Sequence, residues 1–317
     1  MKASYNSDFN QSNCYPNFKM ILNKMKIPNL SLLKIFLFSN LIFFLNLSTQ
    51  TNAQFINEIN FDKNFKILGA EVISGYPIEG NLIIAKTNPL NKVKVNNELI
   101  EIDQSGIFVI GFHRDEEKEI LLTITEKKKK LETFLYPIKR KYKVQRIDGL
   151  KQTMVSPKKE TLDKINADRE KVLNARSKKV LLGDFTSGFN WPLKGKITGV
   201  YGSQRILNGV PKSPHYGIDI AVPIGTPVYA PASGVISLAD DLYYSGLTVI
   251  LNHGLNVNST FLHLSEIKVS IGDKVSRGQL IGLSGNTGRS TGPHLDWRID
   301  WDGKRLDAEM LAGPIKY

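Results

Sequence analysis

The chain of 317 residues holds a single cysteine, Cys14, and it precedes the apolar run Ile35–Leu47. A chain cut after that run has no thiol, which excludes disulfide bonds and a cysteine nucleophile. Cys14 also lies on the wrong side of the run to carry a lipid anchor. Long hydrophobic stretches are equally scarce. The one run falls short of the roughly 20 residues a membrane helix needs, and Asn40 and Asn46 interrupt it. A multi-span membrane protein is therefore excluded, and a hydrophobic fraction of 41% excludes a disordered chain. The sequence also lacks an RNA-binding aromatic motif, a zinc finger and a helix-turn-helix pattern, so nucleic acid is not the expected partner.

Acidic residues are the minority: the formal charge is +12. Lys2, Lys19, Lys24, Lys26 and Lys34 against Asp8 place +4 of it in residues 1–53, leaving +8 on the remainder. That balance favours an anionic partner, such as a membrane surface or a carboxylate-rich polymer. The apolar run follows a lysine-bearing stretch and leads into small residues, Thr51 and Ala53, before Gln54. This is the three-part layout of a secretory signal over residues 1–53, with the true start at Met20 or Met25. Read instead as an uncleaved anchor, the run would be short for a span.

Beyond the signal, residues 54–150 read as a small β-domain. Asn81–Ala85, Ile107–Gly111, Leu121–Thr125 and Phe134–Tyr136 are β-rich runs. In Lys92-Val-Lys-Val95 the valines share one face and the lysines the other, as a half-buried strand requires. Asn88-Pro-Leu-Asn91 is a turn, and Lys127–Lys130 reads as a solvated turn. Residues 151–190 are expected to form a helical linker, starting at Ser156 with Pro157 in the first turn and running to Lys179. Its apolar stripe would be Leu162, Ile165, Val172 and Leu173. From 191 to 317, turn signals separate short Val/Ile/Leu runs, the pattern of an antiparallel β-fold. The fold class is mainly β.

Four of the five histidines, His215, His253, His263 and His294, lie in this last segment. His215-Tyr-Gly-Ile-Asp219 pairs an imidazole with a carboxylate, donors suited to zinc; read alone, such a pair is more often a structural hydrogen bond than a metal site. In Pro293-His-Leu-Asp-Trp-Arg-Ile299, strand alternation puts His294 and Asp296 on one face and Leu295 on the other. That face is either solvated or, if buried, needs partners such as a cleft supplies. Alternation in Thr260-Phe-Leu-His-Leu264 puts His263 on the face of Phe261. His253, in Asn252-His-Gly254, reads as a turn residue, and His113, between Phe112 and Arg114, as a surface or strand-end residue.

Taken in order, Gly199-Val-Tyr-Gly202 with Arg205, His215-Tyr-Gly-Ile-Asp219, Gly225-Thr-Pro-Val-Tyr-Ala-Pro231, Ser233-Gly-Val-Ile236, Asn252-His-Gly254, Thr260–Ser265, Gly272-Asp-Lys-Val275, Gly278-Gln-Leu-Ile-Gly282 and Thr287–Leu295 resemble the lysostaphin-type, or LytM, zinc endopeptidases. The resemblance covers about Trp191 to Asp307. It implies that 191–317 is a metallopeptidase β-core with one Zn2+, held by His215 and Asp219, while His263 and His294 orient the attacking water and steady the oxyanion. The family's third ligand is the second histidine of an H-x-H motif; here Asp296 stands in that place. Aspartate is a competent zinc ligand and lies on the right face, though an oxygen-rich set also admits Mn2+. The implied function is that of an exported endopeptidase acting on peptide cross-links of peptidoglycan in the periplasm or cell envelope. Its partners would be peptidoglycan peptide stems, with no stable membrane span once the signal is removed. The alternative is an inactive wall-binding or regulatory module of the same fold.

Overall fold

A computed structural model describes residues 65–148, 161–180 and 184–315. The expected signal and the helix start at Ser156 and Pro157 lie outside the described residues. The chain is mainly β, with a large antiparallel sheet at its centre.

In the N-terminal part, a three-stranded sheet (Glu71–Ser74, Leu82–Lys86, Ile107–Gly111) packs on a four-stranded one (Glu98–Leu99, Lys92–Val95, Ile120–Glu126, Lys129–Leu135). Lys127 and Lys128 form the turn between the last two strands. Ile83, Ala85, Phe108 and Ile110 meet Val93, Leu122, Ile124 and Leu135 between the sheets. The intervening residues Leu82, Ile84, Ile107 and Val109 face the other way, into the C-terminal core beside Trp301 and Leu306. These two strands are continuous apolar runs because both of their faces are buried.

The central sheet runs in the order Lys274–Val275, Gly234–Leu242, Gly246–Gly254, Val257–Leu264, His294–Trp301, Ile218–Ala221, Lys196–Gly199, with Lys304–Leu306 hydrogen-bonded to the His294–Trp301 strand. All its pairings are antiparallel. One face packs Leu251, Phe261, Leu295, Trp297, Ile299 and Ile220 against Val228 and Ile281 of a smaller sheet. The other face of the His294–Trp301 strand carries His294, Asp296, Arg298 and Asp300. Period-two alternation thus gives one strand both a core and a polar face.

A helix over Leu162–Arg176 lies across the central sheet. Its buried contacts come from Val172 and Ala175 against Leu238, Leu242 and Ile250. Polar anchors accompany them: Asp168 accepts the Tyr243 N–H at 2.7 Å, and Arg176 Nε lies 2.8 Å from Asp300 Oδ1. The apolar stripe expected from the sequence is corrected here, since Leu162 and Leu173 are exposed. The helix has too few apolar residues to dock by hydrophobicity alone, and the charged anchors select which face turns inward.

Candidate metal centre

His215 sits in the loop ahead of the Ile218–Ala221 strand. Its N–H donates to the Ser203 carbonyl at 2.9 Å, and its own carbonyl accepts from Gly202 N–H at 2.8 Å, which fixes the loop against the turn at 200–203. Asp219 and Asp296 are directly opposed in the pairing of Ile218–Ala221 with His294–Trp301, and Ala221 opposes His294. Directly opposed residues project to the same side of a sheet. The ligand-capable atoms of His215, Asp219 and Asp296 consequently lie within 4.8 Å of one another.

Two glycines make the convergence possible. A Cβ at Gly217 would fall 2.2 Å from Asp296 Oδ1, and one at Gly199, opposite Asp219, would fall 2.1 Å from Asp219 Oδ2. A side chain at either place would push the carboxylate out of its position.

His215 Nε2 lies 3.0 Å from Asp219 Oδ1. Both atoms are buried, and neither has a hydrogen-bond partner among the described residues. An imidazole nitrogen and a carboxylate oxygen left in this way are costly unless something else satisfies them. Nitrogen and oxygen donors at this spacing fit a divalent cation. Asp296 is different. Arg298 Nη2 lies 2.6 Å from its Oδ2, and Nε lies 3.0 and 3.1 Å from its two oxygens. Burial alone would raise the Asp296 pKa, but the guanidinium outweighs it and holds the carboxyl well below the usual carboxylate range. A second cation flanks Asp219, with Arg205 Nη2 3.6 Å from its Oδ2.

His263 and His294 stand beside this cluster, ring centroids 4.9 Å apart, with His294 Nε2 3.9 Å from Asp219 Oδ1. Each Nδ1 meets a backbone carbonyl, Thr287 O at 2.8 Å for His263 and Gly292 O at 2.7 Å for His294. A carbonyl only accepts, so each Nδ1 carries the hydrogen and each neutral ring keeps its lone pair on Nε2. Burial pushes the His263 pKa down, which favours its neutral form.

Sequence alternation had His263 on the Phe261 face, and the structure corrects this. Leu264 pairs with Leu247 while Phe261 pairs with Val249, so this strand holds one residue more than its neighbour. His263 is the bulge, with φ at +62°. Phe261 and Leu264 both enter the core, and His263 turns to the polar side. His253 is likewise no turn residue: it is buried inside the Gly246–Gly254 strand, and the turn falls at Leu255 and Asn256, both at positive φ. His113 follows the Ile107–Gly111 strand, its ring 5.9 Å from that of Tyr216. Sequence reasoning gave no role to Arg298, whose signal is its place two residues after Asp296 on one strand face.

Residues 213–308 match the model of peptidase family M23. The chain is 50% identical over 124 residues to the peptidoglycan DD-endopeptidase ShyA of Vibrio cholerae, a match covering 38% of this chain and 29% of that protein. It spans less than a third of the length of that relative. A Pseudomonas aeruginosa crystal structure provisionally assigned to peptidase M23 is similar at a TM-score of 0.59 and 25% identity, covering 77% of this chain and 98% of that one. The catalytic domain of lysostaphin from Staphylococcus simulans is 34% identical, covering 39% of this chain and 86% of that one, with a TM-score of 0.29. Through the domain at residues 213–308, the chain belongs to peptidase family M23, the lysostaphin/LytM-type group.

Proposed function

We propose that this protein is a metal-dependent endopeptidase that hydrolyses peptide cross-links of bacterial peptidoglycan, and that the D-alanyl cross-link is the bond it cuts. One observation carries the reading: His215 Nε2 and Asp219 Oδ1, both buried and without a hydrogen-bond partner among the described residues, converge with the Arg298-bound carboxylate of Asp296, beside two histidines whose Nδ1–H groups leave the Nε2 lone pairs free. His215, Asp219 and Asp296 would hold one Zn2+, although two carboxylates and an imidazole also suit Mn2+. An ion held there would supply Lewis acidity, both to a peptide carbonyl and to a water molecule.

The protein's own residues supply the rest. The Nε2 atoms of His263 and His294 accept the proton of the attacking water and return one to the leaving amine. Whichever of the two nitrogens has taken that proton can hydrogen-bond the oxyanion that develops on the scissile carbonyl before passing the proton to the leaving amine. The carbonyls of Thr287 and Gly292 fix both tautomers, so neither ring has to reorient before accepting a proton. Burial on the polar face of the sheet keeps bulk water from competing.

The wider reading belongs to the same proposal. Residues 1–53 would direct export to the periplasm or cell envelope, 54–150 would form a β-domain, 151–190 a helical linker and 191–317 the peptidase core. The mature charge of +8 suits a carboxylate-bearing wall polymer. No helix among the described residues is long and apolar enough to cross a membrane. A second reading, an inactive module that binds the wall, draws on the grip of Arg298 on Asp296.

The test is a timed digestion of purified peptidoglycan, with products identified by mass, alongside the metal content of the purified chain. His215→Ala is expected to lose both the metal and muropeptide release. Asp296→His should retain metal, whereas Asp296→Ala should bind it much less tightly. Unchanged muropeptide release by His215→Ala would reject the enzymatic reading, and equal metal affinity in the parent and both Asp296 variants would remove Asp296 from the ligand set.

A further inference from the structure

Asp296 is not a free carboxylate. The Arg298 guanidinium contacts both of its oxygens, at 2.6 to 3.1 Å. The two residues lie two apart on one face of the His294–Trp301 strand, and Gly217 presses on both: a Cβ there would fall 2.2 Å from Asp296 Oδ1 and 2.7 Å from Arg298 Cγ. The pair is thus wedged between its own strand and the backbone that links His215 to Asp219. The Asp296 side chain is 4% exposed and that of Arg298 is 27% exposed, so the carboxylate is enclosed while the cation reaches the surface.

The charges make this arrangement consequential. One imidazole and two carboxylates carry two negative charges, which neutralise a divalent ion and weaken it as a Lewis acid. A guanidinium on the outer side of one carboxylate returns a positive charge and draws electron density away from the oxygens it binds. Asp296 held in this way donates less charge than a free aspartate and approaches the behaviour of a neutral ligand.

We propose that Arg298 is a positioning residue that acts through Asp296 by lowering its effective charge, so that the centre binds a divalent cation less tightly than three unassisted ligands would and leaves it more electrophilic. This rests on the metal-site reading given above. Arg205, 3.6 Å from Asp219 Oδ2 and more exposed, stands in a looser version of the same relation to the other carboxylate.

The experiment measures zinc affinity of the full chain by competition with a chromophoric chelator, together with the thermal unfolding midpoint of the metal-free chain. Arg298→Met and Arg298→Gln are expected to bind zinc about tenfold more tightly, because the carboxylate recovers its full charge. Their metal-free midpoints should fall, because Asp296 stays buried without its cation. Arg298→Lys keeps the charge and should bind zinc like the parent. In an Asp296→Asn background, Arg298→Met should no longer tighten binding. A purely structural Arg298 would lower affinity and midpoint together. Equal or weaker zinc affinity in the Met and Gln variants overturns the proposal, as does a tightening by Lys equal to that of Met or Gln. Should Arg298→Met fail to fold, the comparison of Gln with Lys decides. Failure of the underlying reading looks different: the parent and His215→Ala would then show the same zinc affinity.

Discussion

Acidification provides a measurement of how this fold treats a buried histidine. His253 is fully enclosed in the Gly246–Gly254 strand; its Nδ1 donates to Ser233 O at 2.9 Å and its Nε2 accepts from Ser259 Oγ at 2.8 Å. Burial pulls its pKa from 6.5 down to about 4, with the Ser233 hydrogen bond opposing only part of the fall. The folded-state pKa is depressed, so between pH 6.5 and 4 the unfolded chain binds the extra proton and stability is lost as pH falls. The full shift corresponds to about 3 kcal/mol, of which about 2 kcal/mol is already lost at pH 5. His253→Gln preserves a donor and an acceptor without titrating. Urea unfolding of parent and variant at pH 7.5 and pH 5 isolates the effect from every other titrating group. The stability gap between them should shrink by about 2 kcal/mol over that interval. A gap that does not change with pH would mean that His253 is not held neutral by burial, and the reasoning would fail.

Two further outcomes follow from the same structure. His263→Ala and His294→Ala should each lower peptide-bond hydrolysis by about 10²- to 10⁴-fold while metal content stays stoichiometric; loss of metal in either variant would make that residue a ligand and overturn its assigned role. Asp300, fully buried, binds Arg176 at 2.8 Å and Arg305 at 3.2 Å. Asp300→Ala leaves these cations enclosed without their counter-charge and should destabilise the chain by about 3–5 kcal/mol, read from urea midpoints; a loss below about 1 kcal/mol would show that the ion pair does not anchor the helix.

The strands of the N-terminal part were legible because their signal is local. Lys92-Val-Lys-Val95 alternates, and Ile107–Gly111 forms a strand with the bounds its apolar run suggests. The helix was legible as an element but not in its orientation. Its inward face is chosen by Asp168 and Arg176, whose partners Tyr243 and Asp300 lie far along the chain. His263 was misplaced for a related reason: a bulge is a mismatch between two strands, so one strand's sequence does not reveal it.

By itself, the sequence determined that the chain is mainly β, that its C-terminal segment follows the M23 motif order, and that His294 and Asp296 share a strand face, because composition, turn residues and period-two alternation are properties of neighbouring residues. Only the tertiary structure decided that Asp219 and Asp296 stand opposite each other, that His215 completes the cluster, and that Arg298 grips Asp296. Those relations depend on strand register and on two glycines that let backbone and carboxylate touch. Register is settled by packing across the whole sheet, which no local stretch of sequence contains.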